Sequence, residues 1–585
     1  VRSWPGLALL WLLNLLLLVR VWGELVSAAT ARTASGVSAP GMLGVLLRLL
    51  SPSRRSGGVQ TAWPEGSAVA AAHPVMFWAV TAALAIVLAI GLALLAKSGA
   101  VKVPGIKPGE VSSLWPTRPQ GRPEAGTGTH LADRKADLAP LLLPLGTTEE
   151  PGRVTLGSVK LRHAKRAVAA ETDTHIAVIG GTRTGKTSGF HLPALLGEWP
   201  GPALATSVKA DLLTETLGYR TTLGPVSTYD PAAAVADLTP SCTWSPVATS
   251  KDWRAAVRVA DALVGASPVA SGKGEGANAF FVTSSRQLLA PLLLAAHRKG
   301  GGMDDVLGWV AARELDEVRA LVDDVPGAVR GVDSVALADE KTAANVCSTV
   351  SGVLQAYEDE DVLASALGRP GAPRFDPYSW LEAGTPATHY VVAPPRDQSR
   401  LAPVLAAHIG EVVNAAFDVA NAHGGRLPAP LLLLLDETAN LARLGNLGTL
   451  LTTAASHGIV IVTAWHDVSQ LKGAYPDDWS TVLNNSRARI ILSGTGDAAT
   501  LDYARQLAGD VLVERESTSE RDGGGGDSTS RQQQAVSLAS ADVVRELETG
   551  TGLLLYGNLP PTKLRLRPYF KDKRLAARAA LDGEG

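Results

Sequence analysis

Ile176 to Ile179 form a short apolar, β-branched run, and Gly180-Gly181-Thr182-Arg183-Thr184-Gly185-Lys186-Thr187 follows it directly. The octet has the spacing of a P-loop, and an apolar-periodic stretch continues from it. Strand, glycine-rich turn and helix start are thereby fixed in order, which commits this part of the chain to an α/β fold. The glycines let the backbone curl so that successive N–H groups face a β-phosphate, and the helix adds its positive end. Lys186 is placed to reach β- and γ-phosphates, and the Thr187 hydroxyl to complete a Mg2+ shell. Pro193 removes a donor inside that helix and is expected to kink it or end its first turns.

A P-loop needs a second carboxylate for the metal. Pro430 to Leu435 read as a buried strand that ends in Asp436-Glu437. At the strand tip Asp436 can hold Mg2+ through water, and Glu437 can polarise an attacking water. The stretch from Thr187 to Asp436 far exceeds one strand–helix unit of about 30 residues. Further strands are expected at Ala203–Ser207, Val226–Tyr229 and His389–Val392. Between Lys251 and about Pro370 the pattern is helical, as in DWRAAVRVADALVGA and EKTAANVCSTVSGVLQAY. A helical domain is therefore expected as an insertion into the nucleotide-binding sheet.

Hydrophobic residues make up 46% of the chain and charged residues only 19%, which is little charge for a soluble globular protein. Val75 to Ala96 contains no charged residue. As a helix it spans about 33 Å, against a hydrocarbon core of about 30 Å. Lys97, Lys102 and Lys107 follow it, so the positive-inside rule places everything beyond in the cytoplasm. A second apolar stretch, Trp4 to Val19, is bracketed by Trp4 and Trp22 and reads as an anchor helix, with a cleaved signal peptide as the alternative. The expected layout is a multi-pass membrane anchor over 1–97, with helices at about 4–22 and 75–96 and an outer loop between. A Pro-rich linker over 98–150 follows, then a nucleotide-binding domain over 151–250 and 371–585 with 251–370 inserted. Glu514 to Gln534 has no apolar residue and is expected to be a loop. Cys242 and Cys347 match no disulfide or zinc framework, and the net charge of −2 excludes a histone-like nucleic-acid coat.

With these pieces in place the chain resembles the type IV secretion coupling proteins, the conjugative DNA-transfer ATPases, from the first apolar segment to about Leu575. Ser207-Val208-Lys209-Ala210-Asp211-Leu212 is similar to the family's acid-Pro-Lys-Gly-Glu-Leu strand end. Tyr229-Asp230-Pro231 and Trp244-Ser245-Pro246 resemble its next two signatures. Asp436-Glu437, Leu441–Leu447, His457-Gly458 and Gln470-Leu471 resemble the long block after the acidic strand. Pro560-Pro561 and Pro568-Tyr569-Phe570 are similar to its closing strands.

The resemblance implies a RecA-like P-loop NTPase core with an inserted all-α domain, preceded by a transmembrane helix pair. It implies ATP and Mg2+ as cofactors, a homo-hexameric ring in the membrane lipid, and transfer of single-stranded DNA with its bound relaxase into secretion-channel proteins. By this resemblance His466 stands where the family usually has a Gln that senses the γ-phosphate; an imidazole can also donate a hydrogen bond there. A double-stranded DNA pump and a docking platform with weak turnover are the alternatives. Lys160 to Arg166 is the densest basic run, suited to DNA phosphates or to an anionic membrane surface. A cation acting across a ring interface is expected of Arg443, Arg487 or Arg489.

Overall fold

The computed structural model describes residues 130–581, apart from 163, 208–209, 236–240, 272–276, 442–443, 446 and 520–527. The two expected membrane helices, the outer loop, most of the linker, Val208, Lys209 and Arg443 lie outside the described residues. Thirteen strands are described: β1 (Thr155–Lys160), β2 (Lys165–Ala169), β3 (Ile176–Ile179), β4 (Ala203–Ser207), β5 (Val226–Tyr229), β6 (Thr388–Val392), β7 (Leu431–Leu435), β8 (Ile459–Trp465), β9 (Ala488–Leu492), β10 (Asp510–Ser519), β11 (Ser528–Ser537), β12 (Thr551–Tyr556) and β13 (Thr562–Arg565).

Eleven of them form one sheet in the order β2-β1-β13-β12-β9-β3-β8-β7-β4-β6-β5. The seven from β9 to β5 are parallel to one another, and β12, β13, β1 and β2 add an antiparallel wing. The central strands are covered on both faces, which is why they read as unbroken apolar runs rather than as alternations. Within β7, Leu432 and Leu434 join Ile176, Val178, Phe190 and Leu195 on one face. Leu431, Leu433 and Leu435 join Ala177, Ile179 and the helices on the other.

Every regular element described between β5 and β6 is a helix. The longest are α1 (Trp253–Ala266), α2 (Ala277–Lys299) and α3 (Glu340–Leu354), and α1 also packs on α4 (Gln398–Ala422), which follows β6. Asp252 caps α1 by accepting from the Ala255 N–H at 2.9 Å, and Asp339 caps α3 in the same way through Thr342. Among the described residues only Ala279–Lys299 is long and apolar enough to cross a membrane. It is instead a core helix, with Leu288 to Ala296 buried against neighbours.

Two sequence expectations change. Residues 130–150, read as the end of an extended linker, are packed on the body. Leu138 and Leu141 are fully buried, and the Leu143 N–H donates to Ala167 O at 3.1 Å. The segment 514–534, read as a loop, is mostly hairpin: β10 pairs with β11 from Asp510↔Ser537 to Ser519↔Ser528. The composition argument weighed only side-chain burial. Ladder pairing satisfies the backbone without it.

The end of the chain is stitched to the P-loop helix. After the loop, Thr187–His191 makes a π-helical turn, with the Leu192 N–H donating to Thr187 O, before the short α-helix Leu192–Leu195. Pro193 has no N–H for the Gly189 carbonyl, and the Arg567 N–H supplies that bond at 3.2 Å. Glu149, 6% exposed, collects Arg567 at 2.8 Å, Arg574 at 2.7 Å and Arg578 at 3.0 Å. Arg578 also donates to Leu196 O at 2.6 Å. Glu149→Ala would leave a half-buried cluster of three guanidinium groups short of its shared carboxylate, a loss of about 3 kcal/mol. The expected result is a clearly lower Tm in thermal unfolding, whereas Glu548→Ala, at a surface pair with Arg565 3.7 Å away, leaves Tm unchanged.

Candidate functional site

In an open parallel sheet, ligands bind beyond the carboxyl ends of the strands. Here β8 lies between β3 and β7. Ile179 pairs with Trp465, so β3 and β8 end level, and Leu435 pairs with Thr463, so β7 ends two residues earlier on the same edge. Gly180, His466 and Asp436 therefore emerge from neighbouring strands at one carboxyl edge of the sheet. The Gly180 N–H donates to Trp465 O at 2.9 Å and ties the loop to β8.

The loop has the curled backbone its glycines foretell. Gly185 sits at φ +94, and Arg183, a non-glycine, is also left-handed at φ 61. A Cβ at Gly180 would come within 2.7 Å of the Leu492 Cβ and 2.9 Å of the Thr184 hydroxyl, so only glycine fits. Thr184 Oγ1 donates to Gly181 O at 2.8 Å. The Lys186 ammonium donates to Gly180 O, and to Gly181 O at 3.3 Å. Burial lowers the Lys186 pKa, opposed by the carboxylates of Asp436, Glu437 and Asp467.

Asp436 and Glu437 occupy the turn after β7. Thr206 Oγ1 donates to Asp436 O at 3.1 Å. Thr438 Oγ1 donates to Leu435 O at 3.0 Å while accepting the Ala464 N–H at 3.2 Å, which locks the turn to β8. Glu437 adopts φ 53, a left-handed conformation uncommon for a non-glycine residue and concentrated at functional sites. Its Oε1 lies 3.4 Å from His466 Nε2. The His466 backbone N–H donates to Gln470 Oε1 at 2.8 Å, and the Gln470 N–H to Asp467 Oδ1 at 2.6 Å, so β8 runs straight into a capped helix.

The structure thus brings Lys186, Asp436, Glu437 and His466 together with the loop from Gly180 to Thr187. It also adds a residue the sequence did not single out: His191, fully buried, with Nδ1 3.2 Å from Asp436 Oδ1. Burial pushes the Asp436 pKa up, but His191 and Lys186 outweigh it and hold the carboxyl below its usual range. The donor set suits Mg2+ delivered with phosphates. Among the described residues no three His, Cys, Asp or Glu groups could hold a metal by themselves, and Mg2+ is usually held by one or two carboxylates plus substrate phosphates. Arg487 and Arg489 do not approach this site. Arg489 pairs with Ala177 in β9, and Arg487 stands just before that strand, where it meets Glu171 at 3.1 Å.

A sequence profile of the family described as "Type IV secretory system Conjugative DNA transfer" matches residues 146–582. The chain belongs to that family. The family description places it in conjugative DNA transfer by a type IV secretory system. The conjugal transfer protein TraG of Escherichia coli is 25% identical over 449 residues, 70% of this chain and 69% of that protein. VirD4 of Agrobacterium fabrum (strain C58) is 25% identical over 413 residues, 68% of this chain and 59% of VirD4. The bacterial conjugative coupling protein TrwB in its unbound form shares the fold, with a TM-score of 0.56 at 19% identity over 75% of this chain and 93% of its own. TrwB in complex with the non-hydrolysable ATP analogue ADPNP gives a TM-score of 0.54 at 19% identity, over 77% of this chain and 96% of its own.

Proposed function

We propose that this member of the conjugative transfer family is a membrane-anchored, homo-hexameric motor that uses ATP hydrolysis to pass single-stranded DNA, with its bound relaxase, into a type IV secretion channel. The convergence of Lys186, Asp436, Glu437 and His466 at the carboxyl ends of the neighbouring strands β3, β8 and β7 carries this reading. The loop from Gly180 to Thr187 cradles the phosphates, Lys186 reaches the β- and γ-oxygens, and Thr187 with Asp436 holds Mg2+. Held by Thr187 and Asp436, Mg2+ would supply positive charge against the negative charge that develops on the transferred phosphoryl group. Glu437 orients and polarises the attacking water. His466, in contact with Glu437, links that carboxylate to the state of the γ-phosphate. The nucleotide-binding domain comprises 151–250 and 371–585. Residues 251–370 form an inserted helical domain, supported by the regular elements described between β5 and β6, all of which are helices. Residues 1–97 anchor it in the cell membrane, with the ATPase on the cytoplasmic side.

The test is ATP hydrolysis by the full chain with no DNA, single-stranded DNA or duplex DNA, beside Lys186→Ala. Stimulation by single strands that the mutant abolishes is the expected outcome. Duplex-selective stimulation would replace the reading with a double-stranded DNA pump. His466, standing where the family usually has Gln, favours one second reading, a docking platform with weak turnover. Nucleotide binding with no DNA-stimulated hydrolysis, at concentrations where a ring forms, would select it.

A further inference from the structure

His191 is four residues beyond Thr187, at the end of the π-helical turn that follows the loop. Its ring is wholly buried and stands edge-on to Phe190, with centroids 5.9 Å apart. Nδ1 lies 3.2 Å from Asp436 Oδ1. The contact is off the line of an ideal hydrogen bond, and neither ring nitrogen has another hydrogen-bond partner among the described residues. A buried imidazole that meets no other polar group has every reason to be replaced by an aromatic or aliphatic side chain if packing is its only task. The group it faces is the acid at the tip of the strand.

We propose that His191 is a positioning residue for the metal site: a donor from Nδ1 that holds one oxygen of Asp436 and leaves the other for the hydration shell of Mg2+. The inference rests on the reading of Asp436 as the metal acid. An outer partner of this kind fixes the rotamer and the charge of a ligand carboxylate without touching nucleotide or metal. His191 is thus a counterpart to His466: each of the two adjacent acids has its own imidazole, one from the P-loop helix and one from the residue that follows β8.

The two ring positions can be tested separately. Asn presents its amide nitrogen about where Nδ1 stands, and Gln about where Nε2 stands. In the full chain, fluorescent-nucleotide affinity is measured in EDTA and across a Mg2+ titration for wild type, His191→Asn, His191→Gln and Asp436→Asn, with thermal unfolding of each. The expected result is that His191→Gln raises the half-saturating Mg2+ concentration about 10- to 100-fold. His191→Asn stays near wild type, and affinity in EDTA is the same for all three. Equal Mg2+ requirements for Asn and Gln, whether both normal or both raised, overturn the proposal. So does a loss in EDTA that matches the loss in Mg2+, because that marks a packing role only. If Asp436→Asn itself leaves the Mg2+ requirement unchanged, the metal-acid reading fails first, and that result is independent of either His191 variant.

Discussion

Glu437→Gln is expected to lower ATP hydrolysis by roughly 10²–10⁴-fold while leaving nucleotide affinity close to wild type. The amide keeps the size of the side chain and an acceptor for His466 Nε2, 3.4 Å away in the native chain, but cannot take a proton from water. The backbone arrangement is set by groups that the substitution does not touch: the Thr438 hydroxyl, the Thr206 hydroxyl and the left-handed φ at 437. Single-turnover hydrolysis beside equilibrium nucleotide binding checks it. Parallel loss of both would move Glu437 from activation of water to holding of nucleotide or metal.

The second large effect is acid sensitivity. His389 on β6 meets His408 on α4 through their Nε2 atoms at 2.7 Å, one neutral ring donating to the other. Ser227 lies 2.8 Å from His389 Nδ1, and Phe375 stacks on His389 with centroids 3.9 Å apart. Burial pushes the His408 pKa down to about 3 and holds His389 well below its usual value, helped by His408. Under the P-loop strand, burial also takes His175 down to about 4, against the pull of Asp173.

All three rings are neutral in the fold, whereas the unfolded chain protonates them below about 6.5. Stability is therefore intact above that pH and falls as pH drops through the window towards 4. Each histidine contributes about 2 kcal/mol of loss between pH 7 and pH 5, some 4–6 kcal/mol together, comparable with the whole stability of a marginal domain. Denaturant midpoints at pH 7, 6 and 5 should fall steadily, and His408→Phe should flatten the slope. A midpoint constant from pH 7 to pH 5 would mean that the rings are already charged in the native state.

What the sequence made legible was local. The P-loop octet and the Leu431–Leu435 run announce themselves because their chemistry lies in neighbouring residues, and the strands at 203–207, 226–229 and 388–392 follow from apolar runs. His191 was silent for the opposite reason. A histidine within an apolar helix has the same local signature whether it packs or aims at a carboxylate, and its partner Asp436 comes from a distant strand. The site's order, with β8 between β3 and β7, depends on pairing that no local pattern encodes. The same holds for Glu149 and its arginines, and for the packed segment 130–150, where prolines suggested a tether and Leu138 and Leu141 decided otherwise.

The bond from the Arg567 N–H to the Gly189 carbonyl, and the grip of Arg578 on Leu196 across 382 residues, also set a clock for biosynthesis. The glycine loop leaves the ribosome early, but the strand and helix that brace it emerge nearly four hundred residues later. At roughly 5–20 residues per second that is a wait of roughly 20–80 s during which a nascent P-loop stands beside an unfinished sheet. Nucleotide can therefore act as a folding ligand only for the nearly finished polypeptide. Chains stalled or cleaved before residue 551 would lack β12 and β13, leave the β9 edge of the parallel sheet unpaired, and would go to chaperones and proteases rather than into a ring.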